Sequence, residues 1–107
     1  MRRMTGEGEM PSSLDAELYP TLATLRAARS AEDQRILSFV EQLDDAGLSG
    51  TLSYQPMAGG PDKRPIAELL AHLFNHQTHH RGQAHAMLSE AGVEPPPLDL
   101  IYYLRGL

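Results

Sequence analysis

Apolar residues in the second half of the chain recur at three- and four-residue steps. Ile66, Leu69, Leu70, Leu73, Ala84, Met87, Leu88 and Ala91 form one stripe with helical period, which predicts a long amphipathic helix from Ile66 to about Ala91. The same period runs through Leu22, Leu25, Ala28, Ile36, Phe39, Val40 and Leu43. It predicts a second long helix from about Pro20 to Ala46, with Pro20 in its first turn and Gly47 as a left-handed cap. Arg26, Arg29, Glu32, Asp33, Arg35 and Glu41 supply the solvent side of that helix and are assigned no chemistry.

Between the helices the pattern changes. Thr51-Leu52-Ser53-Tyr54 alternates enough for a short strand, residues 57–62 read as a turn, and Lys63-Arg64 return as a second strand before Pro65. After Gly92, three prolines at 95–97 forbid further helix. Asp99 can cap a short final helix from Leu100 to about Arg105, with Leu98, Ile101, Tyr102 and Leu104 folding it back on the others. Met1 to Ser13 is polar, contains Gly6, Gly8 and Pro11, and reads as a flexible tail; Ser12 to Asp15 offers at most a helical turn. The fold class is all-α, with a hairpin-like connector.

Four of the five histidines fall on the Ile66–Ala91 helix between positions 72 and 80. At about 100° per residue, His76 and His80 lie within roughly 60° of the centre of the apolar stripe, while His72 and His79 lie roughly 100–120° away. His85 leaves on the opposite side. Two imidazoles one turn apart therefore point inward and can reach one shared ion, as an N-ligand metal site on a helix requires. Spacing alone leaves a second reading open, a pair of hydrogen-bonded core histidines. The protease motif His-Glu-x-x-His is not matched, because Gln77 occupies the position of the general-base Glu and an amide cannot take a proton.

The run His76-Gln77-Thr78-His79-His80-Arg81-Gly82-Gln83, after Leu73-Phe74-Asn75 and before Ala84-His85-Ala86-Met87-Leu88, resembles the signature helix of the DinB (damage-inducible protein) family. The downstream stretch from Gly92 through Pro95-Pro96-Pro97 to Leu100 resembles it too. The resemblance implies an up-down-up-down four-helix bundle that holds a divalent metal with three histidines. Two of them match His76 and His80, and the third belongs to the bundle's second helix. Zinc or nickel is the implied metal, and a low-molecular-weight thiol is a further candidate cofactor. Gln83 is a candidate hydrogen-bond partner for a ligand imidazole. Gly82 would let another helix or loop approach closely, and Tyr102 or Tyr103 is read as packing in preference to lying near the metal.

The resemblance covers nearly the whole chain but only the family's C-terminal half. Met1 to Gly8 resembles the loop after the second helix, so the first two bundle helices and the third histidine are expected to be absent, with Met1 either internal to a longer frame or the start of a short form. Residues 1–107 are then a single partial domain. Two long helices cannot each bury a stripe against one partner as four can, which leads to the expectation of a homodimer that rebuilds a four-helix core with twofold symmetry.

Composition narrows the function further. The 107 residues have a formal charge of −5, which argues against a nucleic-acid surface, and they include no cysteine, which excludes disulfides, thiolate ligands and a cysteine nucleophile. Neither a signal peptide nor a membrane-length apolar run is found, so the expected location is the cytoplasm. The functional expectation is a divalent-metal-binding protein of the thiol S-transferase or hydrolase type, acting on a small-molecule substrate. No dedicated general base is evident, since Glu68 and Glu90 lie near helix ends and Asp99 serves as a cap. The alternative is a non-catalytic, truncated helical fragment or dimerisation module with weak metal binding or none.

Overall fold

A computed structural model of the chain describes residues 11–13, 15–56 and 58–106. The described chain is mostly helical: α1 (Leu22–Glu41), α2 (Asp45–Ser49), strands β1 (Thr51–Tyr54) and β2 (Asp62–Pro65), α3 (Ile66–Glu90) and α4 (Leu100–Leu104). Two long helices, a hairpin connector and a short C-terminal helix are thus present as the periodicity predicts. No described helix is long and apolar enough to cross a membrane. Most of the predicted N-terminal tail, residues 1–10, lies outside the described residues, as do Leu14 and the turn residue Met57. Pro11, Ser12, Ser13 and Asp15 are not helical. The chain divides into two compact units, Met1–Ala67 and Glu68–Leu107.

In the first unit, α1 starts one residue after Thr21, so Pro20 precedes the cap and does not sit in the first turn. Thr21 Oγ1 accepts from the backbone N–H of Thr24 at 3.2 Å, and Thr24 Oγ1 accepts from the N–H of Thr21 at 3.4 Å. Two orphan donors are satisfied reciprocally, with threonine in the place usually taken by Glu or Gln. Arg29–Asp33 and Arg35–Glu32 ion pairs line the solvent side.

The helix does not run on to Ala46. It ends at Glu41, with Gln42 as C-cap, because Asp44 starts a new helix: its carboxylate accepts from Gly47 N–H at 2.7 Å. An Asp side chain that satisfies a first-turn donor favours a fresh start over continuation. Gly47 accordingly lies inside α2 without a positive φ and is not a left-handed cap.

The hairpin pairs Thr51 with Pro65 and Tyr54 with Asp62 in antiparallel register. Asp62 gathers three donors: Lys63 N–H at 2.8 Å on Oδ1, then Arg64 Nε at 3.0 Å and the Tyr54 hydroxyl at 3.2 Å on Oδ2. The Arg64 guanidinium first, then the Lys63 N–H, holds this carboxyl below its ordinary range.

In the second unit, α3 ends in a Schellman motif. Gly92 takes φ +73°, Val93 N–H donates to Leu88 C=O at 2.9 Å and Gly92 N–H donates to Ser89 C=O at 3.0 Å. Asp99 stands at the N-cap of α4, but its side chain makes no capping bond.

Little apolar surface is enclosed. Among the described residues, Ile36 (8% exposed) and Leu70 (7%) are the buried hydrophobic side chains, and no polar one is buried. Leu22 (74%) on α1 and Met87 (66%) on α3 stand open, and so do Leu98, Ile101, Tyr102 and Leu104. The expected folding back of those α4 residues is therefore not observed.

Candidate metal-ligand site on helix α3

His76 and His80 occupy successive turns of α3, so their side chains lie one above the other. Their Nε2 atoms are 3.0 Å apart, and the rings meet edge-on, with centroids 4.5 Å apart and planes at 88°. His80 Nδ1 lies 2.7 Å from Gln83 Oε1. A carbonyl oxygen can only accept, so Nδ1 carries the hydrogen and a neutral His80 turns a bare Nε2 toward its neighbour. The hydrogen in the Nε2–Nε2 contact then comes from His76.

The other rings surround this pair without joining it. His72 stacks on His76 with centroids 5.4 Å apart and planes at 22°, and His79 lies 6.4 Å from His76 and 5.2 Å from His80. An imidazole lone pair lies in the ring plane, so a stacked His72 offers its face to His76 and does not converge with it. Crowding by neighbouring groups, followed by the positive charge of His80, His72 and His79, pushes the His76 pKa below its ordinary 6.5. The neutral, lone-pair-bearing form is favoured as a result.

One expectation is corrected. Both His76 and His80 are exposed and do not face inward. The stripe residues Ile66, Leu69 and Leu73 are half-buried and Leu70 is buried, whereas Ala84, Met87, Leu88 and Ala91 further along are exposed, so coverage of the stripe does not extend to His76 and His80. A stripe records which residues gain from burial; which of them are covered depends on what packs there. Nor does Gly82 meet a close neighbour, since a Cβ placed on it would have nothing within 4 Å. Tyr102 and Tyr103 are exposed, so the packing role read for them is not observed either.

The donor set fits part of a metal site. Zinc–nitrogen bonds of about 2.0–2.1 Å at a tetrahedral angle set two nitrogens roughly 3.3 Å apart. The observed 3.0 Å is close to that span. Among the described residues no group of three or more His, Cys, Asp or Glu is placed to hold an ion. The sequence reading missed Thr78, whose hydroxyl donates to Phe74 C=O at 3.0 Å and accepts from Arg81 Nη2 at 3.0 Å. Its three-residue spacing from Arg81 was the available signal.

Comparison with known proteins agrees with the signature run. Protein DinB of Bacillus subtilis (strain 168) is 38% identical over 71 residues, which are 66% of this chain and 40% of that protein. The match thus spans well under half of that relative's length. No solved structure matches the chain. The family model described as DinB family matches residues 1–106. On that match the chain belongs to the DinB family.

Proposed function

We propose that the chain is a divalent-metal-binding DinB-family protein in which His76 and His80 supply two ligands, with zinc or nickel as the ion. The observation that carries this reading is the 3.0 Å convergence of two Nε2 atoms, one of them fixed as a lone-pair donor by Gln83. His76 and His80 would hold the ion, Gln83 would orient His80, and a neutral His76, favoured by its depressed pKa, would bind through Nε2 once its hydrogen moves to Nδ1. A divalent ion here supplies a lowered pKa for a bound water or thiol, the chemistry of a thiol S-transferase or hydrolase. The substrate is a small molecule, a low-molecular-weight thiol is a candidate cofactor, and the cytoplasm is the proposed location.

The reading also includes a homodimer in which two pairs of long helices form a four-helix core. Its support is the open apolar surface at Leu22 and Leu25 on α1 and at Met87 and Leu88 on α3. A chain that sediments as a folded monomer at micromolar concentration would overturn the dimer.

The test of the metal site is elemental analysis of the purified chain beside His76→Ala and His80→Ala. The expected result is loss of bound metal in both variants; unchanged metal content in both would sink the ligand assignment. One observation favours a second reading, a non-catalytic helical module with weak metal binding or none: no three-donor group is found among the described residues. Metal content well below stoichiometric in the unaltered chain would support it.

A further inference from the structure

The unit Glu68–Leu107 holds a solvent-open cleft of about 400 Å³ whose lining residues are all exposed. Arg81 lines it from α3, and Asp99 lines it from the turn before α4. Pro97, Leu98, Tyr102 and Tyr103 form its apolar and aromatic walls.

Arg81 is held in place through its own helix. Its Nη2 donates to Thr78 Oγ1, and the Thr78 hydroxyl donates to Phe74 C=O. The rest of the guanidinium fork faces no carboxylate, since among the described residues the ion pairs belong to Arg29, Arg35 and Arg64. Asp99 is also uncommitted among the described residues: its carboxylate neither caps α4 nor enters an ion pair with them. The two opposite charges line one cleft without pairing with each other, so the Asp99 carboxylate and the Arg81 donors other than the one on Thr78 can meet a ligand.

We infer that this cleft binds a zwitterion, an α-amino acid with an apolar side chain. The ligand's carboxylate meets the Arg81 fork, its ammonium meets Asp99, and its side chain lies against Leu98 and the tyrosine rings. A dianion would satisfy Arg81 but be repelled by Asp99. A plain amine would meet the reverse fate. The cleft shares no residue with the His76–His80 pair, and it is tested on the metal-free chain, so its failure is distinguishable from failure of the metal reading.

The test is a titration of the metal-free full chain, followed by ¹⁵N NMR, with three probes. L-leucine carries both charges, 4-methylpentanoate keeps only the carboxylate, and 3-methylbutylamine keeps only the ammonium. L-leucine is expected to give saturable shifts at Arg81 and at residues 98–103, with each single-charge analogue binding about tenfold or more weakly. Arg81→Gln and Asp99→Asn should each weaken L-leucine by a similar factor without changing the thermal midpoint. The inference is overturned if L-leucine gives no saturable shift there, if either analogue binds as well, or if either folded variant binds L-leucine unchanged. Should a variant unfold, the comparison of probes on the unaltered chain decides.

Discussion

His80 Nδ1 stands 2.7 Å from Gln83 Oε1, so a residue one turn downstream decides which nitrogen of His80 is free. That contact gives the first prediction. Gln83→Ala is expected to weaken zinc binding by about tenfold or more, with helix content unchanged. Gln83→Glu retains an acceptor at the same reach and should bind at least as tightly as the unaltered chain. Competition against a chromophoric chelator measures both.

Two glycines, Gly82 within α3 and Gly92 just past its end, predict opposite effects. Gly92 holds φ +73° in the Schellman motif, so Gly92→Ala should lower stability by about 1 kcal/mol or more. Gly82 lies mid-helix with nothing within 4 Å of an added Cβ, so Gly82→Ala should raise stability by about 0.5–1 kcal/mol. Urea unfolding of both variants at matched concentration checks the pair.

The carboxyl of Asp62 should titrate below 3.8. A folded pKa depressed beneath the unfolded one stabilises fully above the unfolded value, and the contribution is lost as pH falls through the folded value. The hairpin should therefore loosen in acid, and Asp62→Asn should remove this part of the acid sensitivity. Carboxyl ¹³C NMR reports the titration, and the Thr51–Tyr54 amides report the loosening.

Thr21→Ala is expected to cost about 1 kcal/mol, because the first turn of α1 loses its side-chain acceptor. Thr24→Ala alone should also destabilise. The double variant should cost less than the two single costs added together, since both residues belong to one reciprocal pair. Denaturation with far-UV circular dichroism gives all three values.

The histidine pair was legible because spacing alone decides convergence: residues four apart on a helix are neighbours whatever surrounds them. The hairpin was equally open to reading, since Thr51 to Tyr54 and Lys63-Arg64 flank a Gly-Gly-Pro turn. The direction in which His76 and His80 face was not, because coverage depends on what packs against α3 and the stripe names only candidates. The break at Gln42 to Asp44 was missed for a local reason. Asp44 reads as one more polar residue on a solvent face until its carboxylate is found on Gly47 N–H.

Enclosure of so few hydrocarbon side chains, Ile36 and Leu70 among the described residues, bears on how a solitary chain would melt. Its urea dependence should be shallow and its heat-capacity increment small, because both scale with surface newly wetted on unfolding. Raising the protein concentration should steepen the one and enlarge the other as a second copy seals Leu22 and Met87 from water. Calorimetry across a dilution series would then register assembly as a growing ΔCp.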